Sequence, residues 1–261
     1  MLLDGLGWSH YSVFAPCIMT QTRVLGRSGG GKNLIIFVLS LVLIMVIHRS
    51  GYYKTIMTKM GFRQEVKNED RPDYWCIKGW TTCLQKMQVN CDVCFFGHSM
   101  IEMSDFQSYF PNKKIIELGY PGDDIKGMQM RVAQIVAVHP KKVFIMAGTN
   151  SLSYKKDIFA REYDQLIMAI KDSLPQAQLF LCNIIPQHDG KLGKSERNSI
   201  IKERNIFIKK YAKSKHVPVI DLYTIYTNHR GELCKMYSID GVHLVPSAYR
   251  LWANAISTYI N

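Results

Sequence analysis

Acidic residues are scarce in this chain: 21 Asp and Glu stand against 33 Lys and Arg, a formal net charge of +12 over 261 residues. Such a balance points toward nucleic acid or an anionic membrane surface. The means of reading nucleic acid are missing, however. The basic residues come singly or in pairs (Lys113-Lys114, Lys141-Lys142, Lys155-Lys156, Lys209-Lys210) at the ends of predicted elements, and no basic helix or RNA-binding signature occurs. No nucleic-acid partner is expected. Metal patterns are equally thin. Of seven cysteines, an odd number, only Cys91 and Cys94 form a CxxC, and neither a second CxxC nor a histidine pair at zinc-finger spacing follows. That pair lies in a predicted buried strand, where cysteine is a common small core residue. Neither metal nor cofactor is expected; a Cys76–Cys83 disulfide stays open for an exported chain. Arg27-Ser-Gly-Gly-Gly-Lys32 lacks the phosphate-loop pattern, since Lys32 is followed by Asn33 and no strand precedes it. No internal repeat is evident. Apolar residues are not in short supply: at 47%, with 21% charged, they exclude global disorder.

One apolar run stands apart. Leu34 to Ile47 is broken only by Ser40. At about 14 residues it is short of the roughly 17–25 that a spanning helix needs and suits a signal-peptide core. Arg23, Arg27 and Lys32 precede it, no small-x-small cleavage site follows, and Tyr52 and Tyr53 could extend it at an interface. The first expectation is an uncleaved signal anchor over residues 33–49. It gives membrane association and an exported, membrane-anchored or periplasmic/extracellular domain. A cleaved export signal comes second. A buried core helix comes third, because the run has no polar face. Residues 1–32 read as a basic, flexible N-terminal segment. Residues 50–90 read as a polar connector with a lead-in helix on the domain edge, and 91–261 as the functional domain.

From residue 91 the pattern alternates. Strands are predicted near 92–96, 115–118, 142–146, 178–183 and 217–221. Helices are predicted near 124–138, 160–173, 196–214 and 246–259, the first with Ile125, Met128, Val132, Ile135 and Val136 on one stripe. Apolar strands alternating with helices read as an α/β fold with a mainly parallel sheet covered on both faces.

The chemistry is carried at the strand ends. Cys91-Asp-Val-Cys-Phe-Phe-Gly-His-Ser99 is an apolar strand that stops at Gly97-His98-Ser99. Open α/β sheets put their ligand sites at such carboxyl ends, so Ser99 is the candidate nucleophile. Gly122, in the loop after the second strand, can offer a backbone N–H to a developing negative charge. Asn150, in Gly148-Thr149-Asn150 after the third strand, offers an amide donor. Asp240-Gly241-Val242-His243 lies before the last helix. A carboxylate three residues before a histidine, across a turn at Gly241, can hold one ring nitrogen and leave the other as general base for Ser99. Taken singly, Gly122 and Asp240 also read as turn residues, Asn150 as a cap and His243 as a satisfied core or surface histidine. All of them fall in order, at the same predicted end of successive elements.

Gly97-His98-Ser99, Gly122, Gly148-Thr149-Asn150 and Asp240-Gly241-Val242-His243-Leu244 resemble the motifs of the SGNH (GDSL-type) hydrolases, especially the branch similar to platelet-activating-factor acetylhydrolase. The resemblance spans about residues 91–258. It implies a three-layer α/β/α sandwich, flavodoxin-like, and ester hydrolysis without a metal. Ser99 would be the nucleophile, His243 the base and then acid, and Asp240 its orienter. The backbone N–H groups of Ser99 and Gly122 and the Asn150 amide would form the oxyanion hole. Two positions depart from the family: His98 stands where Asp is usual, and Ser151 follows Asn150 where Asp is usual.

The expected substrate is a small-molecule or glycan ester with a short acyl group, acetyl above all. No long apolar insertion between the motifs could line a fatty-acyl tunnel. His98, the loop Ile185-Pro186-Gln187-His188-Asp189 and the stretch 222–239, with Tyr223, Tyr226, His229 and Tyr237, are expected to line the pocket. A surface-glycan acyltransferase using the same residues and a catalytically inactive, membrane-tethered binding domain are the alternatives.

Overall fold

The computed structural model describes residues 74–188 and 194–260. The expectations for segments 1–32 and 33–49, and for most of the connector, lie outside the described residues. Among those described, no helix is long and apolar enough to cross a membrane.

Five strands form one sheet: β1 (Val93–Gly97), β2 (Ile115–Gly119), β3 (Lys142–Met146), β4 (Gln178–Cys182) and β5 (Val219–Ile220). Their order is β2-β1-β3-β4-β5 and every neighbouring pair is parallel. The chain reverses its direction of winding between β1 and β3, the place where open α/β sheets leave a crevice for ligands. Gly97 lies level with Gly119 on one side and Met146 on the other. The loops after these three strands therefore leave the same edge side by side.

Side chains alternate between the two faces. Cys94, Phe96, Val143, Ile145, Leu179 and Leu181 pack on one face. They meet α4 (Ile125–Met130), α5 (Val132–Ala137), α6 (Lys156–Ser173) and α7 (Lys194–Lys215). Val93, Phe95, Phe144, Met146, Phe180 and Cys182 pack on the other, against α2 (Ser99–Glu102), α3 (Phe106–Tyr109), α8 (Leu222–Tyr226) and α9 (Tyr249–Ile260). The result is the three-layer α/β/α sandwich. The parallel register sets Phe95, Phe144 and Phe180 in a row. Their rings stack at 5.1 and 4.5 Å between centroids, and Phe106 covers Phe95 at 4.0 Å.

Helix α1 (Tyr74–Met87) buries Ile77, whose carbonyl accepts a hydrogen bond from Gln134 of α5 (3.4 Å). Cys76 and Cys83 both lie exposed and free on this helix. Seven residues of helix separate them by about 10 Å, beyond the reach of a disulfide, so that bridge is ruled out. Cys91 and Cys94 are core residues. Burial, with the charge of Asp92 second, pushes the Cys91 thiol up to about 12, and burial also raises Cys94.

The short helices α2, α3 and α8 are not in the pattern read from the sequence, and two predicted elements differ from it. The helix expected over 124–138 is two helices, broken at Arg131 (φ −102°, ψ 6°), whose side chain turns into the protein. The last strand is two residues rather than five. Val217 N–H is used to close α7 through the Ala212 carbonyl (2.9 Å), Pro218 has no N–H, and Asp221 already caps α8.

Candidate active site

Ser99 opens α2 directly after β1. Gly97 is required there by space: a Cβ would come within 2.8 Å of both Ile101 Cγ1 and the Met146 carbonyl oxygen. His98 is extended and caps the helix, its Nδ1 accepting from the Met100 N–H (3.4 Å). An Nδ1 that accepts leaves the ring proton on Nε2. His98 is 1% exposed, and its pKa is lowered to about 4, first by burial and then by repulsion from His243 and Arg131. The departure at position 98 thus still provides an acceptor for the helix N-terminus, in a neutral ring.

Ser99 Oγ lies 2.9 Å from His243 Nε2. His243 Nδ1 lies 2.6 Å from Asp240 Oδ2. The other carboxylate oxygen of Asp240 accepts from the backbone N–H groups of Val242 (2.9 Å) and His243 (2.8 Å) and from Ser238 Oγ (3.2 Å). Burial alone would raise the Asp240 carboxyl. The hydrogen bonds from the His243 ring, the two backbone groups and the adjacent imidazole outweigh it and hold the group well below the usual carboxylate range. An Nδ1 facing this carboxylate carries the proton, which leaves the Nε2 lone pair toward Ser99. The turn depends on Gly241, at φ +82°: a Cβ there would come within 2.6 Å of the His188 carbonyl oxygen.

Gly122, at φ +76°, lies in a turn that Asp123 N–H closes onto the Tyr120 carbonyl (3.2 Å). Asn150 follows Gly148 (φ +116°) in a single 3-10 turn, Thr149–Ser151. Its side-chain amide donates to the Asp123 carbonyl (2.9 Å), beside the Gly122 peptide. Ser151 is fully buried, and its hydroxyl accepts from Ile125 N–H (3.0 Å). The loops after β2 and β3 are therefore joined twice. Beneath them lies a pair not anticipated from the sequence, Asp123 with Arg131, 2% and 1% exposed. The available signal was an arginine at core spacing between Met128 and Ile135.

The residues expected to line a pocket separate. Tyr226 belongs to the core and not to a pocket wall, since it is fully buried with its hydroxyl on the Ala248 carbonyl (2.9 Å). His98 is likewise enclosed. His188 is buried under the Asp240–His243 turn, its N–H on the Gly241 carbonyl (3.0 Å) and its Nε2 3.4 Å from the Ser238 carbonyl. Tyr223 is half-buried, its hydroxyl donating to the Gly231 carbonyl (3.3 Å). Tyr237 is half-buried and meets the Tyr226 ring edge-on at 5.7 Å, and His229 is exposed. On the loop that carries Asp240, Met236 and Ile239 are 71% and 91% exposed. Cavities of about 430 and 310 Å³ lie elsewhere, one beside Lys126, Gln129 and Glu162, the other beside Asp221, Thr224 and Tyr259.

A family model described as the GDSL-like lipase/acylhydrolase family matches residues 103–251. Among solved structures, the chain is similar to a GDSL-like lipase from Bacteroides thetaiotaomicron, with TM-score 0.60 and 20% identity over 70% of this chain and 96% of that one. It is similar to an acetyl xylan esterase, with TM-score 0.55 and 19% identity over 65% and 99%. It is also similar to a lipase/acylhydrolase from Enterococcus faecalis, with TM-score 0.54 and 19% identity over 64% and 94%. At these identities the likeness is one of fold. No curated protein sequence matches the chain.

Proposed function

The chain belongs to the GDSL-like lipase/acylhydrolase family and is a hydrolase of ester bonds, and we propose that Ser99, His243 and Asp240 carry the reaction, on short-chain acyl esters, foremost acetyl esters of carbohydrates. The observation that carries this reading is the continuous relay from Ser99 Oγ through the His243 ring to Asp240, at 2.9 and 2.6 Å. A serine hydroxyl is a poor nucleophile at neutral pH, so a base must take its proton during attack. His243 Nε2 takes it as Oγ bonds to the ester carbon. Asp240 stabilises the imidazolium through Nδ1–H. The carbonyl oxygen becomes an oxyanion, met by the backbone N–H groups of Ser99 and Gly122 and by the Asn150 amide. Collapse breaks the bond to the alcohol, which leaves with the proton from Nε2. Water then attacks the acyl-serine by the same steps in reverse, releasing the acid and restoring Ser99.

The substrate class rests on the openness of the site. The side chains of His243 and Asp240 are 33% and 54% exposed. Such an edge suits a small acyl group on a bulky alcohol that stays largely outside. Met236 and Ile239, exposed on the loop that carries Asp240, would supply apolar surface for the acyl methyl or the face of a sugar ring. The likeness to an acetyl xylan esterase supports the same choice. The test is hydrolysis of p-nitrophenyl esters of rising chain length by the full chain, beside acetylated xylan. Turnover that falls beyond butyrate, with acetate release from the glycan, is expected; rates that climb toward long chains would reverse the substrate assignment. We further propose that the run over 33–49 tethers the protein to a membrane outside the cytoplasm. Recovery of the full chain in a carbonate-washed membrane pellet is expected, and release by carbonate would overturn the tether.

A further inference from the structure

We propose that Arg131 is a positioning residue of this site: one buried guanidinium ties together the backbone segments of Ser99 and Gly122 and, through Asp123, the Asn150 amide. The inference rests on the oxyanion role proposed above for Ser99, Gly122 and Asn150. Its starting point is a mismatch. Arg131 occupies a core-facing position in a helical stripe, where an apolar side chain would pack well. Removing a guanidinium and a carboxylate from water is costly, and their mutual attraction does little more than offset that cost. Stability alone is therefore a weak reason for the pair.

The bonds of Arg131 indicate a different role. Its Nε and Nη2 donate to Asp123 Oδ2, each at 2.7 Å. Nη2 also donates to the Gly97 carbonyl (2.8 Å), and Nη1 to the Leu118 carbonyl (3.3 Å) and Gln134 Oε1 (3.1 Å). The rings of Phe96 and Tyr120 flank the cation at 4.8 and 5.7 Å. Three of the acceptors belong to the segments that carry the donors. Gly97 precedes Ser99 by two residues. Leu118 is the last residue but one of β2, four residues before Gly122. Asp123 follows Gly122 directly, and its own carbonyl receives the Asn150 amide. The ends of β1 and β2 are thus tied directly to one planar group, and the loop after β3 is tied to it through Asp123. Lysine would keep the charge but could not address the carboxylate and two carbonyls with one rigid fork.

Displacing a preorganised donor by an ångström costs about 10²-fold in rate, while substrate binding is little affected. The experiment is steady-state hydrolysis of p-nitrophenyl acetate by the full chain carrying Arg131→Lys, Asn150→Ala or both, with thermal unfolding of each. Arg131→Lys is expected to fold and to lose about 30-fold in kcat, with KM within about threefold. In the Asn150→Ala background the same change should still lower kcat, but by clearly less than in the wild type, because one of the three donors it positions is already gone while those of Ser99 and Gly122 remain. A loss as large in the Asn150→Ala background as in the wild type, or wild-type kcat in Arg131→Lys, would overturn the inference. If Arg131→Lys does not fold, Asp123→Asn provides the same cycle with the guanidinium kept. Ser99→Ala is run beside them: undiminished turnover there would remove the site reading itself, whereas an inactive Ser99→Ala with an unaffected Arg131→Lys would remove only the positioning role.

Discussion

Ser99 and His243 are 144 residues apart in the chain, yet Oγ and Nε2 meet at 2.9 Å. The contact joins the first strand's carboxyl end to a turn that precedes the last helix. Each partner is held by its own local device, a helix cap at His98 for one and an aspartate-bracketed turn for the other.

Removal of the proposed nucleophile and of one proposed oxyanion donor should separate chemistry from folding. Ser99→Ala is expected to abolish ester turnover. Asn150→Ala is expected to lower kcat by about 10²–10³-fold while its circular dichroism and melting point stay near wild type. Asn150 is exposed and caps no core element, so a large loss of stability would point to a structural role instead.

Asp240→Asn tests the tautomer argument. The amide oxygen can keep the bonds from the Val242 and His243 N–H groups, but its NH₂ then faces His243 Nδ1 and turns that nitrogen into an acceptor. The proton moves to Nε2 and the base is lost. A fall in kcat of about 10⁴-fold with near-native stability is expected; a loss below tenfold in p-nitrophenyl acetate turnover would contradict it.

His98 should leave a mark on the pH dependence of stability. Its folded pKa, about 4, lies below the ordinary value of 6.5. The unfolded chain therefore binds a proton that the folded chain does not between these two pH values. The stabilisation is complete above pH 6.5 and declines as pH falls toward 4, by about 3 kcal/mol in all. His98→Asn keeps a cap acceptor and removes the titration. Urea unfolding at pH 7 and pH 4.5 should show a smaller difference for His98→Asn than for wild type. Equal differences would exclude His98 as a source of the acid sensitivity.

Two glycines with left-handed backbones should respond differently to alanine. At Gly122 a Cβ meets nothing within 4 Å, so only the backbone penalty of about 1 kcal/mol applies. At Gly241 the added carbon would also meet the His188 carbonyl oxygen at 2.6 Å. Gly241→Ala is expected to destabilise by more than about 2 kcal/mol and to abolish activity by moving Asp240 and His243. Thermal melts of the two variants side by side check the contrast.

The alternation of apolar strands and amphipathic helices, and the placement of Ser99, Gly122, Asn150, Asp240 and His243 at loops on one side, were legible because strand and helix periods are local properties. The Asp240–His243 contact was legible for the same reason: it spans three residues and one glycine turn. The pocket walls were not. Tyr226 and Tyr223 belong to one short helix, and nothing local says that the first enters the core while the second reaches Gly231. Burial is decided by what packs against a side chain, and here that is α9, far along the chain.

What the sequence by itself determined was the sheet-and-helix alternation and the short-range turns at Gly122 and Gly241, since a backbone conformation and its nearest hydrogen bonds depend on neighbouring residues. Only the tertiary structure decided that β1 lies between β2 and β3, that Ser99 meets His243, and that Arg131 turns inward to Asp123 and breaks its helix. These depend on strand pairing and on the burial of a charge, whose energies come from residues distant in the chain.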